Sequence, residues 1–334
     1  MNISELGEFG LINLLQEMVD NAMDTRSSAR SELILGIGDD AAAWQGDQSI
    51  QLATSDSLVQ DIHFDLRFTR WEDLGWKAIA VNLSDIAAMG GSPRYALVSL
   101  SLPGSTDIES VTDLYRGMIE IAGRFDTIIV GGNISSAPQV IINITVLGNS
   151  GIGGSHILTR SGARIGDKIA VTGYLGTSVA GLKLLKENIK LDSESEKILK
   201  QAFLRPDPRI HEGRLLVEKG VKSAIDISDG LVADLGHICK ASNVGARIDT
   251  SLIPVHAIVA INLKEDALGL ALSGGEDYEL LFIAPLEVVS SVKAAAVCPV
   301  TVIGEIIGDN PGEVLVMDDN GFKLSLESSG WKHF

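Results

Sequence analysis

The sequence predicts an α+β fold with α/β layers, divided between two domains, and three observations carry that expectation. The chain has 334 residues, enough for two separate cores. Strand-like apolar runs alternate with helix-period segments in both halves. A Gly/Ser/Asn-rich stretch, Gly148 to Gly154, suits a seam between the halves and sets the expected domains at 1–150 and 151–334.

Glu5 to Asn21 carries Leu11, Leu14, Leu15, Met18 and Val19, an i, i+3, i+4 pattern that predicts an amphipathic helix. Leu33–Leu35 and Ile50–Thr54 read as strands, each running into acids: Gly38-Asp39-Asp40 and Ser55-Asp56. Leu74 to Met89 reads as a helix closed by Gly90-Gly91 and Pro93. Tyr95–Leu102 is expected as a strand, Ile108–Arg124 as a helix, and Thr127–Val130 and Val140–Leu147 as strands. The second half repeats the alternation, with strands at Lys168–Thr172, Ala246–Ile248, Leu280–Ala284 and Val300–Ile303. Its helices are expected at Thr177–Asn188, Ile210–Lys219, Asp229–Ala241 and Glu287–Ala296. Pro206 and Pro208 make the segment before Ile210 a rigid, non-helical connection.

The chain has 27 Lys plus Arg against 44 Asp plus Glu, a net charge of −17. Nucleic-acid binders neutralise phosphates with basic stripes, so this surplus argues against such partners. Cys239 and Cys298 stand in no metal or redox spacing and rule out a disulfide framework. The uncharged stretch from Thr127 to Thr159 is interrupted by Gly131-Gly132, Pro138 and Gly153-Gly154, which a lipid-exposed helix tolerates badly. With no basic, apolar leader at Met1–Glu5, the expected location is the cytoplasm, away from membranes.

The acids that stand out lie at element ends beside small residues: Asp39, Asp40, Asp56, Asp85, Asp226, Asp229, and Glu276-Asp277 after Gly274-Gly275. Carboxylates placed so, near backbone amides and with Thr54 and Ser55 as neutral oxygen donors, suit divalent cations bound to phosphates. The six histidines form no zinc-type spacing, so hard oxygen ligands point to Mg²⁺. Taken singly, each acid is better explained as a helix cap or turn residue; their number and uniform placement lift the metal reading until both stay open at this level. No P-loop, protein-kinase signature or nucleophile elbow occurs.

The ordered motifs resemble the thiamine-monophosphate kinase family. They are Glu5-Leu6-Gly7-Glu8-Phe9-Gly10, Gly36-Ile37-Gly38-Asp39-Asp40-Ala41, Thr54-Ser55-Asp56-Ser57-Leu58 with His63-Phe64, and Asn82-Leu83-Ser84-Asp85. Then follow Leu158-Thr159-Arg160-Ser161-Gly162, Asp226-Ile227-Ser228-Asp229-Gly230, Ser273-Gly274-Gly275-Glu276-Asp277-Tyr278 and the terminal Gly330-Trp331-Lys332-His333-Phe334. The resemblance implies a two-domain architecture of the aminoimidazole ribonucleotide synthetase (PurM-like) kind. It implies a homodimer whose N-terminal halves form an interface β-barrel, and direct phosphoryl transfer from ATP to thiamine monophosphate. It further implies several Mg²⁺ ions on Asp40, Thr54, Ser55, Asp56, Asp85, Asn133, Asp226 and Asp229. Tyr115, Gly131, Gly132, Arg160 and Ser228 would contact ATP, and His63, Glu276 and Trp331 thiamine monophosphate. Asn133 stands where many members carry Asp, so one corner of the metal site would hold less charge.

This chemistry requires no catalytic base. A phosphate monoester has a second pKa of about 6 and is already largely a dianion at neutral pH. Catalysis reduces to positioning and charge stabilisation, and His63 is then a substrate contact. Trp331 offers an aromatic face to a cationic ring. Two other readings are a related ATP-using enzyme with a different phosphate-bearing substrate, and a non-catalytic divalent-ion-binding protein.

Overall fold

The computed structural model describes residues 2–22, 27–37, 42–46, 48–150, 156–326, 328 and 330–331. The chain divides into two compact units, Met1–Ile86 with Ser92–Ser155, and Ala87–Gly91 with His156–Phe334. Asp39, Asp40, the Gly151–Gly154 part of the expected seam and Lys332–Phe334 lie outside the described residues.

The first unit begins with helices α1 (Ile3–Leu6) and α2 (Glu8–Ala22), where the periodicity predicts a single helix. Gly7 adopts a positive φ of 78° and ends α1, a conformation that costs glycine little. Asn2 and Glu5 form a capping box at the start, and Leu11, Leu15 and Val19 are buried. There follow α3 (Ser28–Glu32), β1 (Leu33–Leu35), β2 (Ala43–Trp44), β3 (Gln51–Val59), α4 (Trp71–Ala88) and β4 (Ser92–Leu102). The unit closes with α5 (Ile108–Arg124), β5 (Ile128–Ser136) and β6 (Ile141–Asn149).

Its main sheet has the order β3-β6-β4-β5, with only β4 and β5 parallel. Strand alternation divides its residues between two faces. Leu52, Leu58, Val98, Leu100, Ile142, Ile144 and Val146 are buried on one. Ser55, Ser57, Ser99, Ser101, Asn143 and Thr145 share the other through their register. The sheet is open in one chain, with β3 and β5 as edges; no closed barrel occurs among the described residues. Helices α4 and α5 cross at reciprocal glycines. A Cβ on Gly75 would fall 1.8 Å from the Leu114 carbonyl oxygen, and one on Gly117 would fall 1.8 Å from that of Glu72.

The second unit contains β7 (Lys168–Thr172), α6 (Thr177–Glu187), α7 (Ser193–Leu204), α8 (Ile210–Glu218), β8 (Ser223–Asp226) and α9 (Leu231–Ser242). It continues with β9 (Gly245–Asp249), α10 (Ala257–Asn262), α11 (Ala267–Ser273), β10 (Leu280–Ala284), α12 (Leu286–Ala295), β11 (Val300–Ile307) and β12 (Val314–Met317). A six-stranded sheet of order β12-β9-β11-β7-β10-β8 organises it. Its principal core joins Ile169, Val171, Ile225, Leu281 and Ile283 of the sheet to Leu235 and Ile238 of α9. A smaller cluster joins Ala180 and Leu184 of α6, Leu199 of α7 and Val259 of α10. Helix α7 has a mostly polar sequence, yet Ser195, Leu199 and Phe203 line one buried face and Asp192 caps it. Both cysteines are free. No helix among the described residues is long and apolar enough to cross a membrane.

Candidate functional site

In the first unit, β3 and α4 bring four predicted or adjacent polar residues together. Thr54 and Asp56, two apart on a strand, share a face; Asn82 and Asp85, three apart on a helix, do likewise. The Thr54 hydroxyl donates to Asp85 Oδ2, and the Asp56 backbone N–H donates to Asn82 Oδ1 at 3.2 Å. Asn82 is fully buried and donates through its amide to the Ala78 carbonyl at 3.1 Å. The Asp56 carboxyl is pushed up to about 6 by burial and by the charge of Asp85. A carboxyl whose proton affinity is raised by burial and by a neighbouring carboxylate, beside a hydroxyl and an amide oxygen, belongs to a hard-oxygen set that a divalent cation would stabilise.

The other residues expected in this half are dispersed. Ser55 points to the opposite face, where its hydroxyl donates to the Ile144 carbonyl at 3.2 Å and lies 3.0 Å from Thr145 Oγ1. Asn133 is exposed on β5, three strand spacings, about 14 Å, across the sheet from β3. Gly131 and Gly132 lie in β5 just past a register shift against β4. A Cβ on Gly132 would fall 1.8 Å from the Val98 carbonyl oxygen, so glycine permits this close strand approach. Tyr115 is buried in α5, and that burial raises its phenol above the ordinary value. His63 sits in the turn after β3, and its Nδ1 accepts the Val59 N–H at 3.1 Å. A neutral His63 therefore carries its proton on Nε2. Asp40 lies outside the described residues.

The second unit gathers Ser228, Asp229, Glu276 and Trp331 around one loop between β8 and α9. The Ser228 carbonyl accepts the Glu276 N–H at 2.7 Å, and the Asp229 carbonyl accepts the Trp331 N–H at 3.0 Å. The Ile227 carbonyl accepts the Tyr278 N–H at 2.9 Å. Glu276 and Tyr278 both adopt positive φ, 55° and 51°, a strained conformation for non-glycine residues. Asp277 between them receives the Gly176 N–H at 2.8 Å and the Ser178 N–H at 3.3 Å. Desolvation pushes the Asp277 carboxyl up to about 8, more than those two amides lower it. Trp331 is 55% exposed, leaving much of its ring open to a ligand. Asp226 is buried at the end of β8, opposite Leu280. Arg160 is exposed, and its backbone carbonyl accepts the Ser223 and Ser242 hydroxyls.

Two residues here carry no site role in the sequence reading, Asn82 and Asp234; Asp277 stands there only among the acids beside small residues, with no ligand assigned to it. Asp234 is 2% exposed, and burial followed by the Asp229 charge raises its carboxyl to about 7 despite three backbone donors. With Asp229 and His237 it forms a cluster whose donor atoms all lie within 4.8 Å of one another. Its position in the first turn of α9 is a cap-type signal, legible in the sequence only as such.

Comparison with known proteins places these motifs in a lineage. The family model for AIR synthase related protein, N-terminal domain, matches residues 38–149, and that for the C-terminal domain matches residues 164–317. The thiamine-monophosphate kinase of Escherichia coli K12 is 39% identical over 337 residues, covering 98% of each chain. The chain belongs to the thiamine-monophosphate kinase family. Among solved members of the thiamine-monophosphate kinase family, that of Stenotrophomonas maltophilia K279a superposes with a TM-score of 0.82 at 33% identity, covering 93% of this chain and 96% of its own. A second, AaThiL complexed with AMPPCP and TMP, superposes at 0.77 with 34% identity over 100% of this chain and 99% of that one. The two-domain PurM-like α+β architecture expected from the resemblance is thereby established, apart from the barrel.

Proposed function

We propose that the protein phosphorylates thiamine monophosphate to thiamine diphosphate with ATP, by direct transfer between phosphates. The observation that carries this reading is full-length similarity to AaThiL complexed with AMPPCP and TMP, joined to the acid set of Thr54, Asp56 and Asp85. A base is not required of the protein, because the acceptor phosphate is already ionised. The task left to the side chains is to hold two anions in line and suppress their repulsion.

The residues present fit Mg²⁺. Burial and the neighbouring Asp85 charge raise the proton affinity of the Asp56 carboxyl, and the surrounding donors are oxygens of the kind that ion prefers. Thr54, Asp56 and Asp85, with Asp40 by the resemblance, are the residues of the first unit that would hold it; Ser55 on the opposite face and Asn133 across the sheet stand apart from this set. Asp226 and Asp229 are the expected metal-holding acids of the second unit. Mg²⁺, when bound, neutralises phosphate charge and polarises the phosphoryl oxygens. In the first unit Gly131 and Gly132 offer backbone at a strand edge to nucleotide phosphate, and Tyr115 is a further expected ATP contact. In the second unit Arg160 and Ser228 are the expected ATP contacts. The Nε2–H tautomer of His63 makes it a donor to a phosphate oxygen, while Glu276 and the open ring of Trp331 suit the cationic thiamine moiety.

A homodimer belongs to the same reading. The polar sheet face of Ser55, Ser57, Ser99, Ser101, Asn143 and Thr145 lies on an open sheet, and a second copy would complete a barrel there. ATP as co-substrate suits a cytoplasmic location.

A coupled assay tests the function with thiamine monophosphate, free thiamine and no acceptor. ADP release dependent on the monophosphate is expected. Product from free thiamine alone, or ADP release indifferent to acceptor, would overturn the assignment.

A further inference from the structure

The 227–230 loop is held by an unusually complete set of backbone bonds, and one side chain lies at its centre. Asp234 Oδ2 accepts three consecutive N–H groups, from Ser228 at 3.1 Å, Asp229 at 3.1 Å and Gly230 at 3.0 Å. With its three amides turned inward, the loop points its carbonyls outward. Those of Ser228 and Asp229 then receive the Glu276 and Trp331 N–H groups, and that of Gly230 receives the N–H of Asp234 itself. Glycine is required on both approaching strands of chain. A Cβ on Gly275 would fall 2.6 Å from the Ser228 carbonyl oxygen, and one on Gly330 would fall 2.5 Å from that of Asp229. The residues assigned above to nucleotide, metal and substrate in this unit are thus registered to one another through a single buried oxygen.

We propose that Asp234 is a positioning residue for phosphoryl transfer: by gathering the Ser228, Asp229 and Gly230 amides it fixes Asp229, Glu276 and Trp331 in one arrangement. The inference rests on the functional reading given above for those residues. Asp234 acts through the loop and contacts neither metal nor substrate. A cation bound directly between Asp229, Asp234 and His237 is the competing role. The two differ chemically, because positioning needs one acceptor oxygen whereas cation binding needs the negative charge. An amide side chain retains the first and lacks the second.

The test compares the full-length wild type with Asp234→Asn and Asp234→Ala. Steady-state kinetics would be measured with varied thiamine monophosphate and varied Mg²⁺, and amide hydrogen exchange with the protein free of ligands. Asp234→Asn is expected to stay within about 3-fold of wild type in kcat and in the Mg²⁺ level for half-maximal rate. Asp234→Ala is expected to lose about 10- to 100-fold, the range seen when groups orienting a ligand are removed. The amides of Ser228, Asp229 and Gly230 should exchange slowly in wild type and Asp234→Asn and quickly in Asp234→Ala. Equal loss in both variants, with the Mg²⁺ requirement raised in both, would overturn the proposal in favour of direct ligation. Unchanged kinetics and exchange in Asp234→Ala would also overturn it. If Asp234→Ala does not fold, Asp234→Asn decides between the two roles by its Mg²⁺ requirement. A wild type inactive on thiamine monophosphate would refute the functional reading instead, and the exchange comparison would still decide whether Asp234 orders the loop.

Discussion

The acids of β3 and α4 and the loop between β8 and α9 are built on opposite plans. In the first, side chains face side chains: Thr54 bonds Asp85, and Asp85 lies close enough to Asp56 to add to the rise that burial gives the Asp56 proton affinity. In the second, the backbone is bound at every position from Ile227 to Gly230, and the functional side chains are left to project from it. The first region therefore holds neighbouring like charge that a cation would neutralise, whereas the second is ordered by its own backbone bonds. Division of this kind suits phosphoryl transfer. Charge is compensated by bound ions, and geometry is supplied beforehand by a rigid scaffold.

The sharpest way to break the comparison is Asp56→Asn. Loss of a charged oxygen from the metal set should lower kcat by about 100-fold or more, the scale of several kcal/mol of lost charge stabilisation. Metal-free protein should respond the other way. Removing a half-buried carboxylate that repels Asp85 should raise Tm, by about 2–4 °C for each kcal/mol relieved. Opposite signs in turnover and metal-free Tm are the signature of stored repulsion. A Tm that falls along with kcat would show that Asp56 supports the fold instead.

Asn82→Ala removes the buried amide that receives the Asp56 N–H and ties it to α4. A buried donor left unsatisfied costs about 1–3 kcal/mol. The expected outcome is a rise of about 10-fold in the Mg²⁺ level for half-maximal rate. An unchanged Mg²⁺ dependence would separate Asn82 from the metal set.

These two residues show what could be read in advance. Asp56 was legible because an acid at the end of a strand-like run beside Thr and Ser has a chemical reason to be there. Asn82 lies in a helix with no polar periodicity of its own, and its importance comes from β3 packing over it, a tertiary fact. The fold shows the same boundary. Strand β10 and helix α5 begin and end where their apolar patterns predict, because each pattern is driven by burial on one core. Helix α7 escaped, since its polar surface hides a narrow buried face of Ser195, Leu199 and Phe203. The split of α1 from α2 turned on the backbone of Gly7, invisible to a periodicity that counts side chains. Ser55 was grouped with Thr54 and Asp56 by adjacency, yet the strand's alternation sends it to the other face.

Gly275→Ala probes the second region. Its φ of 70° disfavours any side chain, and the new Cβ would meet the Ser228 carbonyl oxygen. Strain of this type costs upwards of about 1 kcal/mol, which should appear as a Tm lower by a few degrees. Because Glu276 moves with the loop, KM for thiamine monophosphate should rise about 10-fold while the Mg²⁺ requirement holds. A raised Mg²⁺ requirement without a change in KM would mean that the loop serves the ion and not the acceptor.

The smallest expected effect separates the two plans by pH. Asp277 fastens the Glu276 loop to the start of α6 through the Gly176 and Ser178 amides. Its carboxyl is raised from 3.8 to about 8, chiefly by desolvation, with the charges of Glu279 and Glu276 adding to the shift. In the unfolded chain it ionises near its ordinary value, so between about pH 4 and pH 8 the folded state binds the extra proton. Its contribution to stability is full below that window and is lost as the pH rises through it. Asp277→Asn keeps an acceptor and removes the titration. The Tm difference, variant minus wild type, should therefore grow from pH 4.5 to pH 8.5. A difference that is constant with pH would show Asp277 to be ionised throughout, held as an anion by the helix amides. The second region would then carry buried charge as the first does, and the contrast between the two plans would reduce to one of geometry.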